Sequence, residues 1–109
     1  MKNKHFLPLP ANFRNDRRMK RAMKDLGAVG YGIIVWLFER LRCEQGFKYP
    51  IRDLDLLADE LNISMAILQT VISKYDFFAV VESDDGEMFI SPLLMDLMEP
   101  YLKKVEYLS

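Results

Sequence analysis

The residues of this chain best suited to chemistry are basic and lie close together near its N-terminus. The segment "NDRRMKRAMK", residues 15–24, holds five Lys or Arg residues and a single Asp. The formal charge is +7 over residues 1–24 and -8 over the remainder, so the net charge of -1 conceals a strong asymmetry. Clustered Lys and Arg neutralise phosphates, and the cluster therefore predicts an anionic partner such as nucleic acid.

The basic cluster is predicted to form one face of an amphipathic helix. Asn15 is placed to cap the helix and Gly27 to end it, while apolar residues recur at helical spacing within residues 19–26. The basic side chains then form a solvent-facing ridge that would contact phosphates without reading sequence. Its predicted contacts are Arg14, Arg17, Arg18, Lys20, Arg21 and Lys24. A solvated face, or one paired with an acidic neighbouring subunit, is the alternative interpretation.

Residues 29–43 are apolar nearly all round and predict a helix at the centre of the domain. Gly30 and Gly32 are expected to let its first turn approach a neighbour closely. A short strand is expected within residues 47–51, at a sheet edge because of its proline. Two short helices capped by Asp53 and Ser64 follow, and the few residues between them predict a helix-turn-helix.

The second helix of that motif, "SMAILQTVISKY", is the element that would enter a DNA groove. Gln69, Ser73 and Lys74 are its candidate DNA contacts. The helix contains no arginine, and Arg to guanine is the commonest specific base contact. Strong sequence-specific readout by this helix alone is therefore not expected.

The segment "FFAVVESDDGEMFIS" has two β-prone stretches around an Asp-Gly turn and predicts a hairpin, or wing. Its acidic residues, which would be repelled by phosphates, are Glu82, Asp84, Asp85 and Glu87. Ser91 and Pro92 are placed to begin a last helix, which Pro100 should kink or end. The chain finishes without a stop signal, so residues 15–109 are expected to be the N-terminal part of a longer protein.

Residues 1–14 are predicted to form an extended arm, because Pro8 and Pro10 disfavour helix. The arm carries several apolar side chains, which need a surface to dock on: Phe6, Leu7, Leu9 and Phe13. That surface is either the core of the same domain or a partner subunit.

The order of elements predicts a mainly α fold with a small β-hairpin, a winged helix-turn-helix with an extra helix at each end. The segments "NDRRMKRAMKDLGAVGYGIIVWLFERL", "LDLLADEL" and "FISPLL", with Gly46 and the "FF" before the hairpin, resemble the N-terminal domains of replisome-organiser proteins of phages and mobile elements. Those domains are similar to the DnaD N-terminal winged helix, and many have no assigned function. The resemblance covers most of residues 6–95. Arg17 and Phe77 are mild departures from the family pattern, which often has Lys and Leu there.

The resemblance implies DNA replication or mobile-element biology, with DNA and replication proteins as partners and self-association of the domain. The sequence thus predicts a replication-associated module that binds DNA mainly through phosphate contacts. The alternative is an assembly or oligomerisation module, whose acidic wing and apolar arm contact protein instead of DNA.

Enzyme activity is not expected, because His5 is the only histidine and Cys43 the only cysteine. For the same reason neither a metal nor a cofactor site is predicted. No apolar stretch approaches the roughly 20 residues that span a bilayer, and no signal peptide is evident. A single cytoplasmic domain without membrane contact is therefore expected.

Overall fold

The computed structural model of the chain describes residues 6–108, with side chains up to residue 102. The predictions for His5, for the start of the arm and for side chains beyond Leu102 lie outside the described residues. Within the described part the helices are α1 Arg17–Leu26, α2 Ala28–Cys43, α3 Leu54–Leu61, α4 Met65–Lys74 and α5 Pro92–Leu108. The strands are β1 Lys48–Pro50, β2 Ala79–Ser83 and β3 Gly86–Ile90.

The three strands form one antiparallel sheet in the order β1-β3-β2. β2 and β3 are the predicted hairpin, in which Ser83 and Gly86 are paired across the turn. β1 lies at the edge of the sheet, as its proline indicated, and pairs Tyr49 with Phe89 of β3. The predicted class is confirmed: the fold is mainly helical with a small antiparallel sheet, compatible with a winged helix.

The core is built around α2, whose buried face packs against a cluster of phenylalanines. Phe13 of the arm is only 4% exposed, and its ring centroid lies 5.7 Å from that of Phe38 and 5.5 Å from that of Phe77. Phe6 contacts Tyr101 of α5 at a centroid distance of 4.9 Å, and its carbonyl accepts a hydrogen bond from Arg42 Nε at 2.8 Å. The described part of the arm therefore docks on its own domain.

α3 and α4 form the predicted helix-turn-helix. Asn62 ends α3 in the left-handed conformation, with φ 56°, and Ser64 Oγ caps α4 by accepting from Ile67 N at 3.1 Å. Among residues 6–108, no single helix has the length and apolar character needed to cross a membrane. The segments Ile51–Leu61 and Met65–Lys74 meet that test only as a pair, which is bent by 117°.

One predicted helix boundary, the start of α1, is wrong by one residue. Asn15 belongs to a 3-10 turn that brings Phe13 into the core, so the cap of α1 falls to Asp16, whose carboxylate accepts from Arg18 N. Asp53 occupies the predicted cap position of α3, but its side chain makes no capping hydrogen bond. Pro100 does not end α5, because this proline lies on the exposed side of the helix, where water can satisfy the carbonyl it leaves unpaired.

The close approach predicted for Gly30 is confirmed, and the one predicted for Gly32 is wrong. A Cβ on Gly30 would lie 2.9 Å from the carbonyl oxygen of Ala22 in α1 and 3.2 Å from Leu26 Cβ. A Cβ on Gly32 would meet nothing within 4 Å, because that residue faces outward from α2. Of these two glycines, only Gly30 is required for the close packing of α1 on α2.

Gly30→Ala is expected to lower the free energy of unfolding by about 1–3 kcal/mol, since the backbone of α1 must move to admit the methyl group. Gly32→Ala is the matched control, and should raise that free energy by about 0.5–1 kcal/mol through helix propensity. Urea denaturation of both variants measures the difference. A Gly30→Ala variant as stable as Gly32→Ala would contradict the close packing of α1 on α2.

Candidate nucleic-acid interface

An open cleft of about 400 Å³ lies between α1 and the C-terminal end of α4. We call it the basic cleft. One wall is made by five residues of α1, namely Arg17, Arg18, Lys20, Arg21 and Lys24. The other wall is made by Lys74, Tyr75 and Asp76, which end α4 and begin the loop after it.

The basic cleft brings together six of the nine residues proposed from the sequence as DNA contacts. Arg14, Gln69 and Ser73 are exposed but do not line it. Arg14 donates to the Ala11 carbonyl at 3.1 Å, and Ser73 Oγ donates to the Gln69 carbonyl at 2.8 Å. Sequence reasoning missed Tyr75 and Asp76, although they directly follow Lys74, because only the packing of α4 against α1 turns them toward the basic side chains.

The guanidinium of Arg18 is held in the basic cleft by contacts with three residues. Its Nε and one terminal nitrogen donate to the two carboxylate oxygens of Asp16 at 3.0 and 2.8 Å, and its guanidinium carbon lies 4.5 Å from the centre of the Phe77 ring. The other terminal nitrogen donates to the Asp76 carbonyl at 3.4 Å. These hydrogen bonds use three of its five N–H donors, so Arg18 primarily joins the start of α1 to the loop after α4.

Lys74 is also paired, at the opposite end of α1. Its Nζ lies 2.9 Å from Asp25 Oδ2, and the Tyr75 hydroxyl donates to the same oxygen at 2.8 Å. The hydrogen bond from Lys74, supported by the one from Tyr75, lowers the pKa of Asp25. Burial, together with the neighbouring Asp25, raises the pKa of Tyr75. These three side chains join the last turn of α1 to the end of α4.

Four cations of α1 remain without such partners. Arg17, Lys20, Arg21 and Lys24 are exposed, and their side chains form no salt bridge or hydrogen bond with a described residue. Arg21 is near enough to Asp25 for its charge to help lower the pKa of that carboxyl. Their spacing of i, i+3, i+4 and i+7 aligns them along one side of the helix. We call these four residues the basic row. A row of unpaired, solvated cations along one wall of a cleft can bind a chain of phosphates.

Over residues 6–94 the sequence matches the family described as Lin1244/Lin1753-like, N-terminal. The chain belongs to this family. The match includes both walls of the basic cleft and the whole hairpin. The prediction that the chain belongs to a family of small domains without an assigned function is confirmed. The family match shows no link to DnaD. Comparison with curated proteins gave no match, and neither did comparison with solved structures.

In this Lin1244/Lin1753-like domain the acidic wing does not fold back over the basic row. The wing tip lies beside Arg52, which donates to the Asp85 carbonyl at 2.7 Å. Glu82 stands directly opposite Glu87 in the register of β2 and β3, an unfavourable pairing of like charges. Of the described residues, the acids associated with the basic cleft are Asp16, Asp25 and Asp76. No wing carboxylate forms a salt bridge with a residue of the basic row.

Asp16 supports both the cap of α1 and the position of Arg18, and this gives a testable pH dependence. The side-chain hydrogen bonds from Arg18 hold the pKa of Asp16 below its ordinary value of 3.8. Its contribution to stability is therefore complete above about pH 4 and is lost as pH falls through the folded-state pKa. Asp16→Ala should lower the free energy of unfolding by about 1 kcal/mol at pH 7, and the difference should shrink toward pH 2.

Urea denaturation at several pH values measures this difference. Asp59→Ala is the control, because Asp59 is exposed on α3 and its carboxylate makes no contact with a described residue. It should change the free energy by less than about 0.5 kcal/mol at each pH. A difference between wild type and Asp16→Ala that is the same at pH 7 and pH 2 would contradict the assigned Asp16–Arg18 pair.

Proposed function

We propose that this domain binds DNA through the phosphate backbone, with the basic row as the contact surface. The observation that carries the proposal is the set of four exposed cations whose side chains form no salt bridge or hydrogen bond with a described residue, namely Arg17, Lys20, Arg21 and Lys24. Each cation that neutralises a phosphate releases condensed counterions, which is the main source of affinity in binding without sequence preference.

The outer face of α4 favours binding that is independent of sequence. Thr70 Oγ1 donates to the Ala66 carbonyl at 2.8 Å, and Ser73 Oγ donates to the Gln69 carbonyl at the same distance. The hydroxyl protons are therefore already used within the helix. Gln69 remains as an exposed amide, and Lys74 is paired with Asp25. Few groups on α4 are left to discriminate between base edges.

The setting that we propose is DNA replication. It rests on the resemblance of the sequence to N-terminal domains of replisome-organiser proteins of phages and mobile elements, which are similar to the DnaD winged helix. The partners would then be DNA and replication proteins, and the domain could act as one DNA-contacting module among several in such an assembly.

A second candidate function is protein–protein assembly without DNA contact. The observation that favours it is the wing, where Glu82 opposes Glu87 and no described cation pairs with either carboxylate. A basic partner surface would relieve that repulsion. In this case the basic row would contact an acidic protein surface instead of phosphates.

Neutralising half of the basic row should weaken DNA binding and reduce its salt dependence. The logarithm of the binding constant falls linearly with the logarithm of the salt concentration, and four phosphate contacts predict a slope of about -3.6. The double variant Lys20→Gln/Arg21→Gln keeps two contacts and should show a slope of about -1.8. The measurement is fluorescence anisotropy of a labelled random duplex from about 20 to 200 mM salt, with circular dichroism to verify folding.

The matched control is Lys48→Gln, which removes one charge outside the basic cleft and is compared with Lys20→Gln alone. Its slope should stay within about 0.5 of the wild-type slope, because Lys48 makes no phosphate contact in the proposal. Equal losses of DNA affinity in the two variants would show that net charge, and not the basic row, drives binding. Absence of binding at low salt would reject DNA contact and leave the assembly module.

A further inference from the structure

We infer that the ligand of the basic row is a nucleic-acid duplex and not a single strand, with α1 lying along the phosphates of one of the two strands. The inference rests on the proposed function and adds the substrate class and the orientation. It follows from the lack of exposed aromatic rings at the basic cleft, from the acid on the wall that faces α1, and from the way α1 is held at both ends. The higher charge density of a duplex, compared with a single strand, supports it as well.

The described surface offers no aromatic platform on which unpaired bases could stack. Tyr75 and Phe77, the rings at the basic cleft, are 2% and 0% exposed. Every other Phe, Tyr and Trp side chain up to residue 102 that the structure describes is buried or partly buried. Stacking on aromatic rings supplies much of the affinity of single-strand binding proteins. A single strand would therefore bind through its phosphates alone, without stacking of its bases.

The two walls of the basic cleft differ in charge, so the cleft does not suit a strand held between them. The α1 wall carries the four unpaired cations. The facing wall has Lys74, already paired with Asp25, and Asp76, whose carboxylate would repel a phosphate. A strand lying between the walls would meet this acid, whereas a duplex that rests on the α1 wall alone would avoid it.

The basic row is fixed at both ends, which suits a regular lattice of phosphates. Arg18 is held by Asp16 and Phe77 near the first turn, and Asp25 is held by Lys74 and Tyr75 at the last turn. From Arg17 to Lys24 the helix advances about 10 Å, or roughly three base-pair steps of a duplex. A duplex brings its phosphates already ordered, while a flexible single strand must lose conformational freedom to match the row.

Charge density favours the duplex as well. The salt slope per contact is about -0.9 for B-form DNA and about -0.7 for single strands, because fewer counterions condense on a single strand. We assume four contacts and equal affinity of the two ligands at 1 M salt. The difference in slope then makes binding of the duplex about tenfold tighter than binding of the single strand at 50 mM salt.

The test compares a labelled 20-base-pair random duplex with labelled oligo-dT of 20 nucleotides, by fluorescence anisotropy across salt with the wild-type chain. The expected result is about tenfold tighter duplex binding at 50 mM salt, with slopes of about -3.6 and -2.8. Equal or tighter binding of the single strand would overturn the inference and leave the proposed function standing. Absence of binding to either would overturn the proposed function itself.

The orientation is tested separately with Asp76→Asn. Asn is tolerated in the left-handed conformation that residue 76 adopts, with φ 61°, so the loop should keep its shape. If only a single strand enters the basic cleft, removing the negative charge of Asp76 should raise the affinity for oligo-dT several-fold. The affinity for the duplex should rise by a smaller factor. Asp84→Asn on the wing is the control of equal charge and should alter neither. A larger gain for the duplex would place the duplex between the walls and overturn the one-wall orientation.

Discussion

α1 is joined at both ends to the segment that ends α4, and the candidate interface depends on these two attachments. At the N-terminal end, Arg18 binds Asp16 through two hydrogen bonds and stacks on Phe77. At the C-terminal end, Asp25 receives Lys74 and the Tyr75 hydroxyl on one oxygen. An acid in the last turn of a helix is unfavourable with the helix dipole, and Lys74 compensates for it. These contacts add to the burial of Met19 and Ala22 in fixing which side of α1 faces solvent.

The same contacts divide the basic residues by role. Two cations of the basic cleft, Arg18 and Lys74, are used to hold the helices together. The four cations of the basic row face solvent and remain available to a ligand. Since the acidic wing lies beside Arg52, away from these cations, the charge asymmetry of the sequence persists in the folded domain. A chain with a net charge of only -1 thereby presents a local surface suited to polyanions.

The fold was largely predictable from the sequence because its signals are local. Ser64 before an apolar helical pattern and Asp-Gly between two β-prone stretches determine the cap of α4 and the hairpin without help from distant residues. The errors occurred where tertiary packing competes with local preference. Burial of Phe13 shifts the cap of α1 from Asn15 to Asp16.

The basic face of α1 was equally predictable, since helical periodicity alone separates it from the apolar face. The division of its cations into paired and unpaired ones was not, because Phe77 and Lys74 lie about 50 to 60 residues further along the chain than their partners. A backbone NMR titration of the domain with a short random duplex tests the central claim most directly. The account predicts amide shift changes concentrated within residues 17–24. Changes concentrated on the outer face of α4, around Gln69 and Ser73, or on the wing would contradict it.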